Sequence, residues 1–119
     1  MKNSIVRDKS YMFALEVISV YKIVVHNHKD YVLSKQLLRS GTAIGALIRE
    51  ADQAQSKADF INKMSIALKE ANETEYWLLL LRDSELIDED IFTHNHKKCD
   101  EIIRLLVSIV KTSKENLKK

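Results

Sequence analysis

The sequence predicts an all-α protein that folds as an antiparallel, up-down-up-down four-helix bundle in a single domain over residues 1–119. The chain has no proline and only two glycines, so the residues that usually interrupt helices are nearly absent. Apolar and small residues recur at alternating steps of three and four, which is the spacing of a bundle seam. The predicted connections are short, and short connections join antiparallel neighbours.

Four segments carry this pattern in order. The first helix is predicted over about residues 8–25 and the second over about residues 31–54. The third begins at Ser56, which forms a capping-box-like pair with Asp59 three residues later. The fourth begins at Asp88, the first of three successive acids that suit a helix start. The predicted core consists of Leu37, Ile44, Phe60, Met64, Ala67, Leu78, Cys99, Ile102 and Leu106.

Charge is distributed unevenly around a net value of +2. Residues 1–29 hold five bases and two acids (+3), residues 58–90 hold three bases and nine acids (−6), and residues 91–119 hold seven bases and three acids (+4). The apolar period is lost over about residues 112–119, and we expect this segment to fray. A single cysteine fits a reducing cytoplasm, and no run approaches the ~20 apolar residues of a membrane span, so a cytoplasmic protein with no membrane partner is expected.

Two helices carry more apolar surface than a monomeric bundle needs. Residues 76–81 surround the third helix with aromatic and leucine side chains, and residues 102–110 form a similarly wide face on the fourth. Large exposed apolar patches usually mark an interface, so self-association is expected. The alternative is that loops or the C-terminal tail cover these apolar faces. The predicted contact residues are Tyr76, Trp77, Leu80, Ile103 and Val107.

Both glycines lie in the second helix, at Gly41 and Gly45, and therefore share one face. Each destabilises a helix interior by roughly 1 kcal/mol relative to alanine. This cost suggests that another backbone or a bulky side chain approaches closely there. The alternative is a pair of small residues that the helix simply tolerates.

Histidines near one end of the bundle suggest a metal site, but their spacing argues against it. His26, His28, His94, His96 and Cys99 could gather at one end in the predicted topology. Residues two apart on a helix point in nearly opposite directions, so His94 and His96 cannot face one ion. Solvated histidines and a small buried thiol are the better interpretation, and no bound metal is predicted.

Motifs for catalysis are absent from the sequence. It has no Walker loop, no dinucleotide fingerprint, no HExxH and no CxxC, and no glutamate has a histidine three residues on, as a di-iron bundle requires. Glu70 and Glu73 are more simply explained as partners of a base such as Arg39 or Arg49 on a neighbouring helix. The sequence therefore predicts a non-catalytic protein without a cofactor.

Four stretches resemble one known family in order and spacing. Residues 36–51, QLLRSGTAIGALIREA, resemble the second-helix signature of the bacterial four-helix-bundle proteins, also called 23S ribosomal RNA intervening-sequence proteins. Residues 56–60, 66–71 and 73–78 resemble the third-helix signature of the same family. One departure is Leu47, where the family usually has asparagine, so a polar contact from that side chain is lost here.

This resemblance implies a cyclic homo-oligomer, with a pentameric ring as the expected size. It also implies kinship with the accessory proteins of diversity-generating retroelements, which form basic barrels that bind nucleic acid and a reverse transcriptase. The family's name reflects where its genes were first found, inside ribosomal RNA genes, and is weak support for any biochemical activity.

Together these patterns predict a non-catalytic oligomeric scaffold that binds RNA or DNA through a basic surface. Phosphate binding needs clustered bases, and the predicted contacts are Lys97, Lys98, Arg104, Lys111 and Lys114. Two alternatives remain open at this stage: a lysine face that only keeps the protein in solution, and an adaptor ring that holds a partner protein and has no nucleic-acid role.

Overall fold

Four helices make up the computed structural model, which describes residues 2–118 and the side chains of residues 5–118. The helices are α1 (Lys2–His28), α2 (Leu33–Asp52), α3 (Lys57–Asp83) and α4 (Glu89–Lys118). Each packs against the next along the chain, and α1 also packs against α4, within an envelope of 51 × 21 × 20 Å. This arrangement confirms the predicted all-α, up-down four-helix bundle.

The core lies along the predicted seams. Every predicted core residue is buried except Phe60, which is only half-buried in the first turns of α3. Ile61, one position later, is buried instead. On α2, Ile48 is fully buried, whereas Leu47, at the position where the family usually has asparagine, is half-buried at the edge of the core. A straight α-helix turns about 100° per residue, slightly less than the roughly 103° of a strict heptad repeat, so its buried face drifts to the next residue over several turns.

Helix ends differ from the predictions mainly in α1. This helix begins before residue 8 and continues three residues past Val25, to His28, where Lys29 adopts a left-handed φ of 55°. Asp30 then accepts a hydrogen bond from the backbone N–H of Ser34 at 2.9 Å. At α3 the prediction is confirmed, because the Ser56 hydroxyl oxygen accepts from the N–H of Asp59 at 3.0 Å.

The start of α4 agrees with the sequence, and fraying at its end stays a prediction. The Asp88 carboxylate accepts a hydrogen bond from the N–H of Ile91 at 2.8 Å, as expected of an N-cap. The helix then continues to Lys118, through the segment expected to fray. Val110 is the last buried residue, and beyond it every described side chain is exposed except half-buried Ser113.

Gly41 is the point of closest approach between α1 and α2. A Cβ atom placed on Gly41 would lie 2.7 and 2.8 Å from the two methyl carbons of Val17, closer than side chains tolerate. A Cβ atom on Gly45 would lie 3.4 Å from the Ser10 hydroxyl oxygen, an ordinary contact. The expected close approach is therefore confirmed at Gly41, whereas Gly45 is a tolerated small residue.

Polar contacts join α2 to α3 above and within the core. Arg39 donates to Glu70 at 3.2 Å and to Glu73 at 2.8 Å, so the expected pairing with a neighbouring helix is confirmed for Arg39. Inside, the Thr74 hydroxyl oxygen lies 2.9 Å from that of Ser40. Across the described residues, none of the helices is both long and apolar enough to span a membrane.

Candidate nucleic-acid interface

All five predicted phosphate-binding residues lie on α4. Lys97, Arg104, Lys111 and Lys114 are exposed, whereas Lys98 is half-buried and lines the cleft between α1 and α4 together with Met12. Lys97, Lys98 and Arg104 also line one surface cavity on α4, so these three bases lie close together, and their role in phosphate binding stays a prediction.

Four exposed bases recur at intervals of seven residues along α4: Lys97, Arg104, Lys111 and Lys118, defined here as the basic stripe. The buried residues of α4 occupy the a and d positions of a heptad, with Phe92, Cys99 and Leu106 at a. The basic stripe then falls at position f, which points directly away from the bundle. Packing at a and d holds Lys97 and Arg104 on the outward side of α4, and the helix beyond Val110 continues the row to Lys111 and Lys118 with a drift of about 20° per heptad.

Ion pairs partly offset the charge near this row. Arg104 donates to Asp100 at 2.8 Å, one turn earlier on the same helix, yet the Arg104 side chain remains 80 % exposed. Lys9 of α1 pairs with Glu101 at 3.2 Å, so that carboxylate is directed toward α1. Exposed pairs of this kind contribute little energy, so a phosphate can displace Asp100 from Arg104 at low cost.

Two histidines of α4 contact glutamates on its two neighbouring helices instead of a shared site. His94 Nε2 lies 3.3 Å from Glu16 of α1, and His96 Nε2 lies 2.9 Å from Glu75 of α3. The imidazole of His96 also stacks on the ring of Phe92, with centroids 5.0 Å apart. The two histidines thus point to opposite sides of α4, as their spacing predicted.

Cys99 is enclosed in the core, where its thiol lies 3.4 Å from the carbonyl oxygen of Ala71. Burial is the main reason that its pKa rises to about 12, and the charge of Glu75 raises it further. A protonated, enclosed thiol is a poor metal ligand and a poor nucleophile. Within residues described by the structure, no three His, Cys, Asp or Glu side chains are placed to hold a metal ion. The absence of a bound metal stays a prediction.

The predicted interface residues are not equally available. Tyr76 and Val107 are exposed, at 55 % and 48 %, whereas Trp77, Leu80 and Ile103 are half-buried, and Trp77 and Ile103 pack against the core. α3 lies between α2 and α4 and packs on both. A helix with two neighbours needs a wider apolar arc than one stripe, which explains much of the surplus apolar surface on α3.

Sequence reasoning missed a separate apolar surface on α1. Ile5, Met12, Leu15 and Ile23 are exposed on the outer side of this helix. In the sequence these residues form a second periodic set, in addition to the buried valines, and could have been recognised there. The seven-residue spacing of the basic stripe was equally visible in the sequence.

The fold and this surface define a small four-helix-bundle protein with a row of bases on the outer face of its last helix. Residues 2–108 match the model of the 23S rRNA-intervening sequence protein family, and the chain belongs to this family. It is also similar to the crystal structure of a protein of unknown function from the S23 ribosomal protein family of Bacteroides thetaiotaomicron. The two are 56 % identical with a TM-score of 0.91, over 93 % of this chain and 99 % of the other. No curated protein matches the chain.

Proposed function

We propose that this protein is a non-catalytic oligomeric scaffold that binds RNA or DNA along the basic stripe of α4. The supporting observation is the regular placement of four exposed bases at the outermost heptad position. At 1.5 Å per residue they are spaced by about 10 Å and extend over about 31 Å. A row of this length can contact several phosphates of one nucleic acid at once, without reading its bases.

The same position on α3 argues against a face that serves only solubility. Heptad position f of α3 holds Asn62, Lys69, Tyr76 and Asp83, all exposed. A mixture of residue types at that position is therefore enough to keep the outer face of α3 soluble. Since nothing in the packing of α4 requires bases at position f, the uniform row on α4 favours an anionic partner.

Self-association strengthens the proposal, because one stripe carries only four charges. In a closed assembly of several copies, each stripe adds contacts to the same nucleic acid, and the combined affinity exceeds that of one stripe by far. The pentameric ring implied by the family resemblance would supply five stripes. This part of the proposal stands on the exposed apolar side chains of α1, α3 and α4.

Fluorescence anisotropy with labelled structured RNA and duplex DNA, measured over a range of salt concentrations, tests the proposal. The triple variant Lys97→Ala/Arg104→Ala/Lys111→Ala removes three bases of the stripe. For three lost phosphate contacts, the slope of log affinity against log salt should fall by about 2 to 3. The matched control Lys22→Ala/Lys35→Ala/Lys57→Ala removes three exposed bases outside the stripe and should leave the slope nearly unchanged.

Two outcomes would count against the stripe. Equal losses in both triple variants would mean that net charge alone governs binding. No detectable binding to either nucleic acid at low salt would favour the alternative, an adaptor that holds a partner protein. Such docking on apolar residues would depend only weakly on salt, which separates it from phosphate binding.

A further inference from the structure

The outer face of α4 offers positive charge but no aromatic ring on which a base could stack. Between Glu89 and Lys118 the helix has one Phe, Tyr or Trp, which is Phe92, and this residue is 7 % exposed. The guanidinium carbon of Arg82 lies 4.3 Å from the centroid of the Phe92 ring, and the His96 imidazole stacks on that ring. Proteins that hold single strands combine a basic groove with exposed aromatic side chains that stack on the bases. The basic stripe therefore lacks the stacking part of a single-strand site.

The exposed tyrosines lie on other parts of the chain. The ring of Tyr11 on α1 lies 5.8 Å from the guanidinium carbon of Arg49, and Tyr31 lies in the connection between α1 and α2. Tyr76 of α3 packs edge-on against Trp77. All three tyrosines are thus on elements other than the helix that carries the basic stripe. A strand whose backbone followed the stripe would leave its bases without an aromatic partner on α4.

The stripe and a nucleic-acid duplex are both stiff over the same length. The stripe extends over about 31 Å of helix at 1.5 Å per residue, and a DNA duplex stays straight over about 150 base pairs. One turn of duplex, about 34 Å long, therefore presents phosphates of both strands along the stripe without bending of either partner. A single strand is flexible, and holding it along the same row costs conformational entropy.

We infer that the basic stripe binds double-stranded rather than single-stranded nucleic acid, on the outside of the phosphate backbone. This inference rests on the proposed function and names the form of its partner. Acidic side chains beside the row oppose entry of α4 into a groove, because Asp100 and Glu101 flank it on its two sides, at heptad positions b and c. A helix inside the major groove, which is about 12 Å wide, has phosphates on both sides, and these carboxylates would face them.

Fluorescence anisotropy with duplex and single-stranded probes that carry equal numbers of phosphates tests this inference. An RNA arm and a DNA arm each use duplexes of about ten base pairs, one helical turn. The unaltered protein should bind the duplexes about tenfold more tightly, which is roughly the worth of one base stack that α4 cannot supply to a single strand. The triple variant of the basic stripe should lose this preference, whereas the matched control triple variant should keep it.

The two arms identify the partner, because a preference in one arm only would assign the stripe to that kind of duplex. Equal or tighter binding of the single strands in both arms would overturn the inference. So would a preference that survives in the stripe variant, since the high charge density of a duplex would then explain it. No binding of any probe would refute the proposed function, and this inference with it.

Ser108→Trp tests the reason for the preference. Ser108 is exposed and lies within about one turn of both Arg104 and Lys111, so this variant places a ring beside the row. It should raise the affinity for single strands about tenfold and narrow the preference, whereas Ser108→Leu adds apolar area without a stacking ring and should leave the preference unchanged. Tyr76→Ala should change neither affinity. A loss of single-strand binding in Tyr76→Ala, with duplex binding no tighter than single-strand binding in the unaltered protein, would place the bases on α3 and overturn the inference.

Discussion

Alanine substitutions at the two glycines of α2 should change stability in opposite directions. In a helix interior, glycine to alanine is worth roughly 1 kcal/mol in favour of folding. At Gly41 the new methyl group would lie 2.7–2.8 Å from the Val17 methyl carbons. Valine is β-branched and has few rotamers to escape into, so the helices must separate. Overpacking costs about 1 to 3 kcal/mol, which makes Gly41→Ala destabilising by up to about 2 kcal/mol.

Gly45→Ala is the matched comparison on the same helix face. Its new methyl group meets the Ser10 hydroxyl oxygen at 3.4 Å, an ordinary contact that needs no rearrangement. Only the gain in helix propensity remains, so this variant should be more stable by up to about 1 kcal/mol. Both variants make the same glycine-to-alanine change, and they differ only in the short contact that the new methyl group meets at Gly41.

Urea unfolding followed by circular dichroism measures both effects as shifts in midpoint at constant slope. The double variant Val17→Ala/Gly41→Ala should lose less stability than the sum of the two single losses, because the smaller side chain accepts the new methyl group. A Gly41→Ala variant as stable as Gly45→Ala would refute the close approach of α1 and α2. So would a double variant whose losses simply add.

Three further predictions concern single side chains. Ser56→Ala should lower the free energy of unfolding by about 1 kcal/mol because α3 loses its N-cap. Ser56→Asp should keep most of that stability, since aspartate is also a good N-cap. Equal urea midpoints for the two variants and the unaltered protein would contradict this. Arg39→Ala should cost at most about 1 kcal/mol, because the Arg39 side chain is 52 % exposed, and high salt should erase the difference; a salt-independent loss would point to packing instead. The Cys99 thiol, with its pKa of about 12, should react slowly with a thiol reagent at pH 8 until denaturant is added. Above pH 9 stability should decline, because the unfolded thiol ionises first, and Cys99→Ala should lack that contribution.

Much of the bundle could be predicted because its core is a regular seam. On α3 the steps of four and three from Met64 to Leu81 match the buried residues one for one. Ser56 and Asp88 are recognisable helix starts because their side-chain oxygens can accept hydrogen bonds from the free backbone N–H groups of the first turn. Such features depend on local chemistry, which the sequence contains in full.

Helix ends without glycine could not be predicted in the same way. Residues with left-handed φ follow both α1 and α3: Lys29, at 55°, comes directly after α1, and Glu85, at 64°, comes two residues after α3. A side chain in that conformation usually costs about 1 to 2 kcal/mol, so a sequence offers no reason to expect a turn there. Packing of the flanking helices supplies the energy, and that packing is a property of the whole fold.

The candidate surfaces were harder to predict, because exposure depends on which helices are neighbours. Trp77 and Ile103 look like surplus apolar residues until α2, α3 and α4 are placed side by side, after which both pack against the core. Met12 looks like one more apolar residue of α1, yet it is 58 % exposed. Periodicity identifies an apolar face, but only the assembled bundle decides whether that face is covered.

The last two turns of α4 connect folding to the proposed binding. Residues 111–118 are helical although no buried side chain anchors them, and helices without packing are only marginally stable in water. Lys111, Lys114 and Lys118 are three and four residues apart, so each neighbouring pair repels by about 0.2 to 0.5 kcal/mol. We therefore expect these turns to exchange between helix and frayed chain, and an anion along the basic stripe would shift that exchange toward the helix. Hydrogen exchange of these backbone amides should be fast in the free protein and slower with bound RNA. If RNA binds without slowing it, the C-terminal half of the stripe takes no part in binding.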